Sequence, residues 1–313
     1  MNFHRIFVEP WQSHASHYWP VLAMAFFVTV ACGLIGNYLV LRRISLVGDA
    51  ISHSVLPGIA IAFILTGSRS GAPMFIGALV AGVAATVLIE VLHSRSRLKQ
   101  DAAIGITFST FFAIGVILIS IHGAHTDLDL DCVLFGKMDF LPGREPVFLG
   151  LPDVTVTMAA VALAVGILII IFYKELLVSS FDPSLAASMG INPKLVHYLL
   201  MAVLSVVVVA AFTSVGAILV IAMLILPAAT ACMLSDRLWL MMLLSVLHAF
   251  ISSLGGVHLA VALQVPTAPA SVVVGAVCFA VVWIVSPRQG LISLWLRSQR
   301  ADRVPEVRSA GNV

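Results

Sequence analysis

Gly48-Asp-Ala-Ile-Ser-His-Ser-Val-Leu-Pro-Gly58 runs directly into Ile59-Ala-Ile-Ala-Phe-Ile-Leu-Thr66, an apolar stretch of membrane-spanning character. Asp49 and His53 stand four residues apart, about one turn, so a helix here stacks both side chains on one face. A carboxylate oxygen and an imidazole nitrogen make half of a site for a divalent first-row metal. An Asp at mid-membrane depth costs roughly 2.5–3.5 kcal/mol on insertion scales, so ionisable groups in such segments usually serve ion or proton paths. Pro57 adds to the pair. It has no N–H to return to the carbonyl of His53, which leaves that oxygen as a further candidate ligand, and Gly58 loosens the same turn. Broken helices of this kind are tolerated in membranes where they line a polar cavity or are buried in protein. The plainer alternative is interfacial: Asp49 lies six residues after Arg43, where a carboxylate can simply cap a helix.

The rest of the chain has the same character. Of 313 residues, 60% are hydrophobic and 10% charged, against about 25% charged in a soluble domain, and the mean hydropathy is +1.08. This predicts an all-α polytopic membrane protein. Nine apolar runs can be read, at roughly 20–41, 50–66, 72–93, 102–121, 154–173, 195–213, 214–234, 238–256 and 268–286, each near the ~17–25 residues that cross a bilayer core. Only Ser214-Val-Gly216 separates two of these runs, so eight spans are the alternative.

Lys and Arg set the orientation. The segments 42–49, 94–101, 174–194, 235–237 and 287–313 hold thirteen of them, among them Arg42, Arg43, Arg95, Arg97, Lys99, Lys174, Lys194 and Arg237. The opposite side holds four: Arg5, Arg69, Lys137 and Arg144. The positive-inside bias puts an N-terminal segment, 1–19, outside, a transmembrane domain over 20–286, and a cytoplasmic tail over 287–313 near anionic lipid. The external loop 122–153 is acidic, with Asp127, Asp129, Asp131, Asp139, Glu145 and Asp153 beside His122 and His125. It is either a mouth that concentrates cations or a solvated loop. Cys32, Cys132, Cys232 and Cys278 show no paired spacing, so no zinc ribbon, redox motif or disulfide framework is expected.

Two further stretches are marked. In the cytoplasmic loop 174–194, Asp182 suits a helix N-cap, Pro183 the first helical position and Gly190 the position just past the end. So short a helix needs something to pack against. Ala186, Ala187 and Ser188 allow close approach, which points to a docking element for a cytoplasmic partner, Ser184 included, rather than a mere connector. In Gly216-Ala-Ile-Leu-Val-Ile-Ala-Met-Leu-Ile-Leu-Pro-Ala-Ala-Thr230, Pro227 deprives the Met223 carbonyl of its partner and is expected to break or kink the span. Glu90 and His93 read as interfacial, and His248 and His258 as satisfied membrane histidines. No GxxxxGK[ST], HExxH or GxSxG occurs, so this chain is not expected to hydrolyse nucleotide or act as an enzyme.

Leu39-Val-Leu-Arg-Arg-Ile-Ser-Leu-Val-Gly-Asp-Ala-Ile-Ser-His-Ser-Val-Leu-Pro-Gly58 resembles the signature of the manganese/zinc/iron ABC-importer permease family. Asp131-Cys-Val-Leu-Phe-Gly136, Ser180-Phe-Asp-Pro-Ser-Leu-Ala-Ala-Ser-Met-Gly190 and the blocks Val215–Val220 and Leu226–Thr230 are similar to its later blocks, in order. The likeness runs from about residue 18 to 286. It implies a type II importer in the bacterial inner membrane, with a second permease subunit, an ATP-binding cassette ATPase dimer and an extracytoplasmic metal-binding protein. No nucleic-acid partner and no permanently bound cofactor are expected; the metal is cargo, manganese first, zinc or iron next. By resemblance Asp49 and His53 line the metal path, and 180–190 holds the coupling helix that sits on the ATPase. The competing reading is a secondary metal transporter driven by an ion gradient, which commonly needs more intramembrane carboxylates than Asp49 and Glu90. Two side chains and one carbonyl undersupply a stable metal site, so the pair reads as a gate that a symmetry-related pair would complete.

Overall fold

The computed structural model describes residues 15–67, 71–122, 138, 141, 146–148, 150–286, 290 and 293. The helices are α1 (Ala15–Leu41), α2 (Leu46–Ser54), α3 (Leu56–Thr66), α4 (Gly71–Arg95), α5 (Gln100–His122) and α6 (Asp153–Ile171). They continue as α7 (Tyr173–Phe181), α8 (Pro183–Ser188), α9 (Pro193–Val215), α10 (Ala217–Leu234), α11 (Leu238–Leu263) and α12 (Thr267–Val285). Most are apolar on every side, the pattern of spans rather than of surface helices, and Ile76, Val80, Ile117, Leu163 and Ile170 lie exposed on the outside. Among the described residues eight segments are long and apolar enough to cross a membrane, with α2 and α3 together making one. Leu219–Leu234, within α10, is a shorter apolar stretch. The nine expected runs therefore correspond to eight full-length segments and one shorter one, and Gly216, at φ 83°, is the break that separates α9 from α10.

Several boundaries move. Helix α1 starts at Ala15, inside the expected segment 1–19, because Tyr18 and Trp19 continue it past the apolar run, as interfacial aromatics do. The second run begins at Leu46 rather than 50, with Val47, Ala50 and Ile51 giving α2 a buried face. The loop 174–194 contains two helices, because α7 buries Leu176 and Ser179 before the short α8 begins. The structure is all-α as expected, apart from a small antiparallel hairpin, β1 (Pro146–Phe148) with β2 (Leu151–Pro152), that leads straight into α6. The outer Asp/His cluster at 125–131 and Cys132 lie outside the described residues.

Helix α1 is the hub. It packs on α10, α11 and α6, and Met24, Val28, Ile35, Tyr38 and Leu39 are fully buried along it. In a bilayer apolar burial gives helices little reason to associate, so close packing and interhelical hydrogen bonds carry the fold. Both are present. A Cβ on Gly58 of α3 would meet the Gly77 carbonyl oxygen of α4 at 2.1 Å, so only glycine permits this crossing. Buried Asn37 of α1 donates to Ser245 Oγ of α11 at 2.9 Å and to the Gly33 carbonyl at 2.8 Å, an interhelical link of about 0.6–2 kcal/mol.

Candidate functional site

The site begins where α1 stops. Arg43 adopts φ 60°, its N–H bonds the Val40 carbonyl at 3.1 Å, and the Ile44 N–H bonds the Leu39 carbonyl at 2.9 Å. This is a Schellman end with arginine in the position that normally takes glycine, at a strain of roughly 1–2 kcal/mol. After Ser45 the chain enters α2. Asp49 falls in its first turn, where a carboxylate complements the helix dipole, but Ser45 and not Asp49 holds the N-cap position. The capping alternative for Asp49 is therefore not what the helix does.

Asp49 Oδ1 lies 3.4 Å from His53 Nε2, one turn on, as the spacing predicted. Their side chains keep 39% and 23% of their surface open in the isolated subunit, so both remain available to an ion. The His53 ring is set by α5: its centroid lies 5.2 Å from that of Phe108 and 5.9 Å from that of Phe112, the latter edge-on. Nothing in the sequence spacing of these aromatics ties α5 to α2. Helix α2 ends at Ser54, the chain turns at Val55, and Pro57 occupies the first turn of α3. The expected helix break is thus two residues before Pro57. Pro57 returns no N–H to the His53 carbonyl, as anticipated. Among the described residues no third His, Cys, Asp or Glu joins the pair.

The second site is α8. Asp182 accepts from the N–H groups of Ser184 and Leu185, both at 3.0 Å, and from the Ser184 hydroxyl. The Ser184 hydroxyl, then the Leu185 N–H, hold its carboxyl below the usual carboxylate value. Pro183 takes the first turn. At the other end Gly190, at φ 81°, donates to Ala187 O at 3.1 Å while Ile191 donates to Ala186 O at 3.0 Å, a complete Schellman motif. Both predicted caps are in place. Ser184 and Ala187 are exposed, whereas Ala186 is fully buried against the protein's own body. Ala186 therefore anchors α8 and is not itself available to a partner. The exposed apolar side chains are instead Phe181, Leu185 and Met189. Their four-residue spacing was visible in the sequence.

Pro227 does not break its helix. It lies inside the continuous α10, and Gly33 of α1 faces its ring, where an added Cβ would come within 3.0 Å of the Pro227 Cβ. The Pro227 carbonyl accepts from Ser245 Oγ at 3.3 Å. Neighbouring helices thus support the interruption where Pro227 has no N–H to return to the Met223 carbonyl. His248 is buried beside Thr29, Met223, Ser252, Ser271 and Gly275, and His258 bonds the Leu254 carbonyl at 2.7 Å.

Glu90 is not a simple interfacial residue. Its Oε2 lies 3.3 Å from His197 Nε2, and His197 Nδ1 lies 3.4 Å from Arg42 Nη1. With the ring proton on Nε2, the imidazole accepts from Arg42 and donates to Glu90. Arg42 also donates to Ser180 Oγ at 3.0 Å and Ser179 Oγ at 2.9 Å. Burial lowers its guanidinium from the ordinary arginine value. No spacing in the sequence signals this cluster, which joins residues from four separate helix ends.

The profile of the ABC 3 transport family matches residues 16–286. Over 281 residues the chain is 43% identical to the manganese transport system membrane protein MntD of Bacillus subtilis (strain 168), covering 89% of this chain and 95% of that protein. It is 42% identical over 286 residues to the zinc transport system membrane protein TroD of Treponema pallidum (strain Nichols), covering 90% and 78%. Among solved structures, PsaBC from Streptococcus pneumoniae in complex with Fab matches with a TM-score of 0.76 at 37% identity, over 92% of this chain and 98% of that one.

Proposed function

This chain belongs to the ABC 3 transport family, and we propose that it is the transmembrane permease subunit of an ABC importer for a divalent transition metal, manganese before zinc. It is a multi-pass protein of the plasma membrane and carries no nucleotide chemistry of its own. The observation that carries the reading is the Asp49–His53 pair, 3.4 Å apart on one turn of α2 and still partly open. A carboxylate and an imidazole suit Mn(II), Fe(II) and Zn(II).

Two ligands are too few for a stable site. A second permease subunit would supply a matching pair across the dimer, and the metal would then be held by four side chains, weakly enough to be released. In this reading a separate ATPase dimer docks on α8 through Leu185, Ala187 and Met189, with Asp182, Pro183, Ser184 and Gly190 keeping the helix in shape. An external binding protein delivers the ion. ATP binding and hydrolysis then alternate the two faces of the path.

The test is transport by the full complex in proteoliposomes. Manganese uptake should require ATP and the ATPase. Uptake driven by a proton gradient in vesicles lacking the ATPase would overturn the reading in favour of a secondary carrier.

A further inference from the structure

The cluster around Arg42 joins the two functional segments and belongs to neither. Arg42 is the last residue before the strained Arg43 and lies seven residues before Asp49. Its Nε and Nη2 reach Ser180 and Ser179, which close α7 just before Asp182 opens α8. Those two hydroxyls are themselves tied to α7, since each donates to the Leu176 carbonyl, at 2.6 Å from Ser180 and 3.3 Å from Ser179. On its other side the guanidinium meets His197 at the start of α9, and His197 meets Glu90 near the end of α4. One planar fork therefore holds the start of the coupling segment and the end of α1 together, and the pair on α9 and α4 backs it.

We propose that Arg42 is a positioning residue that transmits movement of the α7–α8 segment to α2, the helix carrying Asp49 and His53. The inference rests on α8 being the ATPase-docking element. The Arg42 guanidinium is partly buried and bonded to both serines, and leaving a partly desolvated charge unpaired costs more than displacing a side chain. If an ATPase moves α8, Ser179 and Ser180 move with it and Arg42 follows. The neighbouring Arg43 already sits in a sparsely populated backbone conformation, the kind of position that can change φ and ψ when pulled. A shift there reorients α2 at its first turn, where Asp49 lies. Lysine would not serve equally, since a point charge cannot grip both serines in a fixed geometry.

The test uses the whole importer in proteoliposomes and reads manganese moved per ATP hydrolysed. In Arg42→Gln the ATPase should co-purify and hydrolyse ATP as before, while metal moved per ATP falls at least ~5-fold, the lower bound for coupling between linked sites. Arg42→Lys should fall between the two. Ser179→Ala with Ser180→Ala, Arg42 intact, should reproduce the loss, and this pair decides if Arg42→Gln does not fold. Unchanged metal per ATP in the serine pair, or in a folded Arg42→Gln, overturns the proposal. Ala187→Glu separates the two readings. If it leaves ATPase association and coupling intact, docking through α8 fails and the relay fails with it; if it disrupts them while the Arg42 and serine variants behave as wild type, only the relay fails.

Discussion

Gly58 of α3 and Gly77 of α4 face each other so closely that a Cβ on either would meet the other's carbonyl oxygen, at 2.1 Å from Gly58 and 2.4 Å from Gly77. The contact pins the start of α3 one residue after Pro57, and so fixes the far side of the break that follows His53. Backbone oxygens cannot step aside as side chains do. Gly58→Val or Gly77→Val should therefore cost at least ~1–3 kcal/mol, read as a lower midpoint of thermal unfolding in detergent. An unchanged midpoint would show that the crossing is looser than described.

Asn37 and Ser245 make a second test of the fold. Ser245→Ala leaves a buried amide short of a partner, a loss of about 1–3 kcal/mol, and Asn37→Ala should cost a comparable amount. Because the two side chains satisfy each other, the double variant should lose less than the sum of the singles in the same unfolding assay. Additive losses would mean that the two do not act as a pair.

Much of this was legible in the sequence, and the reasons are physical. The spans follow from long apolar runs, and both ends of α8 follow from the chemistry of Asp182, Pro183 and Gly190, all local signals. Asp49 and His53 could be paired because their spacing equals one helical turn. What escaped depends on contacts between distant segments. Phe108 meets His53 across two helices, and Arg42, Ser179, His197 and Glu90 converge from four helix ends with no shared spacing. A small residue such as Ala186 permits close approach and so predicts docking, but the neighbour it approaches is its own chain. The missing N–H of Pro227 is visible in a sequence and predicts a break or kink, whereas Gly33 and Ser245 supporting its helix are not visible there.

Docking on α8 has its own prediction. Leu185→Asp and Ala187→Glu place charges on the exposed side of α8 and should reduce ATPase co-purification at least ~10-fold, as loss of an interface hot spot of ~1.4 kcal/mol or more would. Thermal stability of the permease should stay near wild type. Ala186→Glu, by contrast, forces a charge into a buried position and should lower stability first. The reverse pattern would place the docking surface elsewhere.

The pH dependence of α8 follows from Asp182. Its folded carboxyl titrates below the usual value of 3.8, so the capping contribution is fully present above that value and is lost as pH falls through the lower folded one. Complex formation should accordingly be insensitive to this residue between about pH 5 and 8. Asp182→Asn, which keeps an accepting oxygen, should preserve docking, and Asp182→Ala should weaken it. Equal loss in both variants would point to the charge rather than the cap.

The gate itself is tested by transport. The proposed importer is reconstituted with an ATPase dimer, a second permease and a binding protein, and ATP-driven uptake of radioactive manganese is measured for wild type, Asp49→Ala and His53→Ala. Each variant should still assemble and hydrolyse ATP, yet lose at least ~10-fold in uptake, the lower end of what disturbing a metal's ligand environment costs. Uptake at the wild-type rate in both variants, with assembly intact, would contradict the assignment of Asp49 and His53 to the metal path.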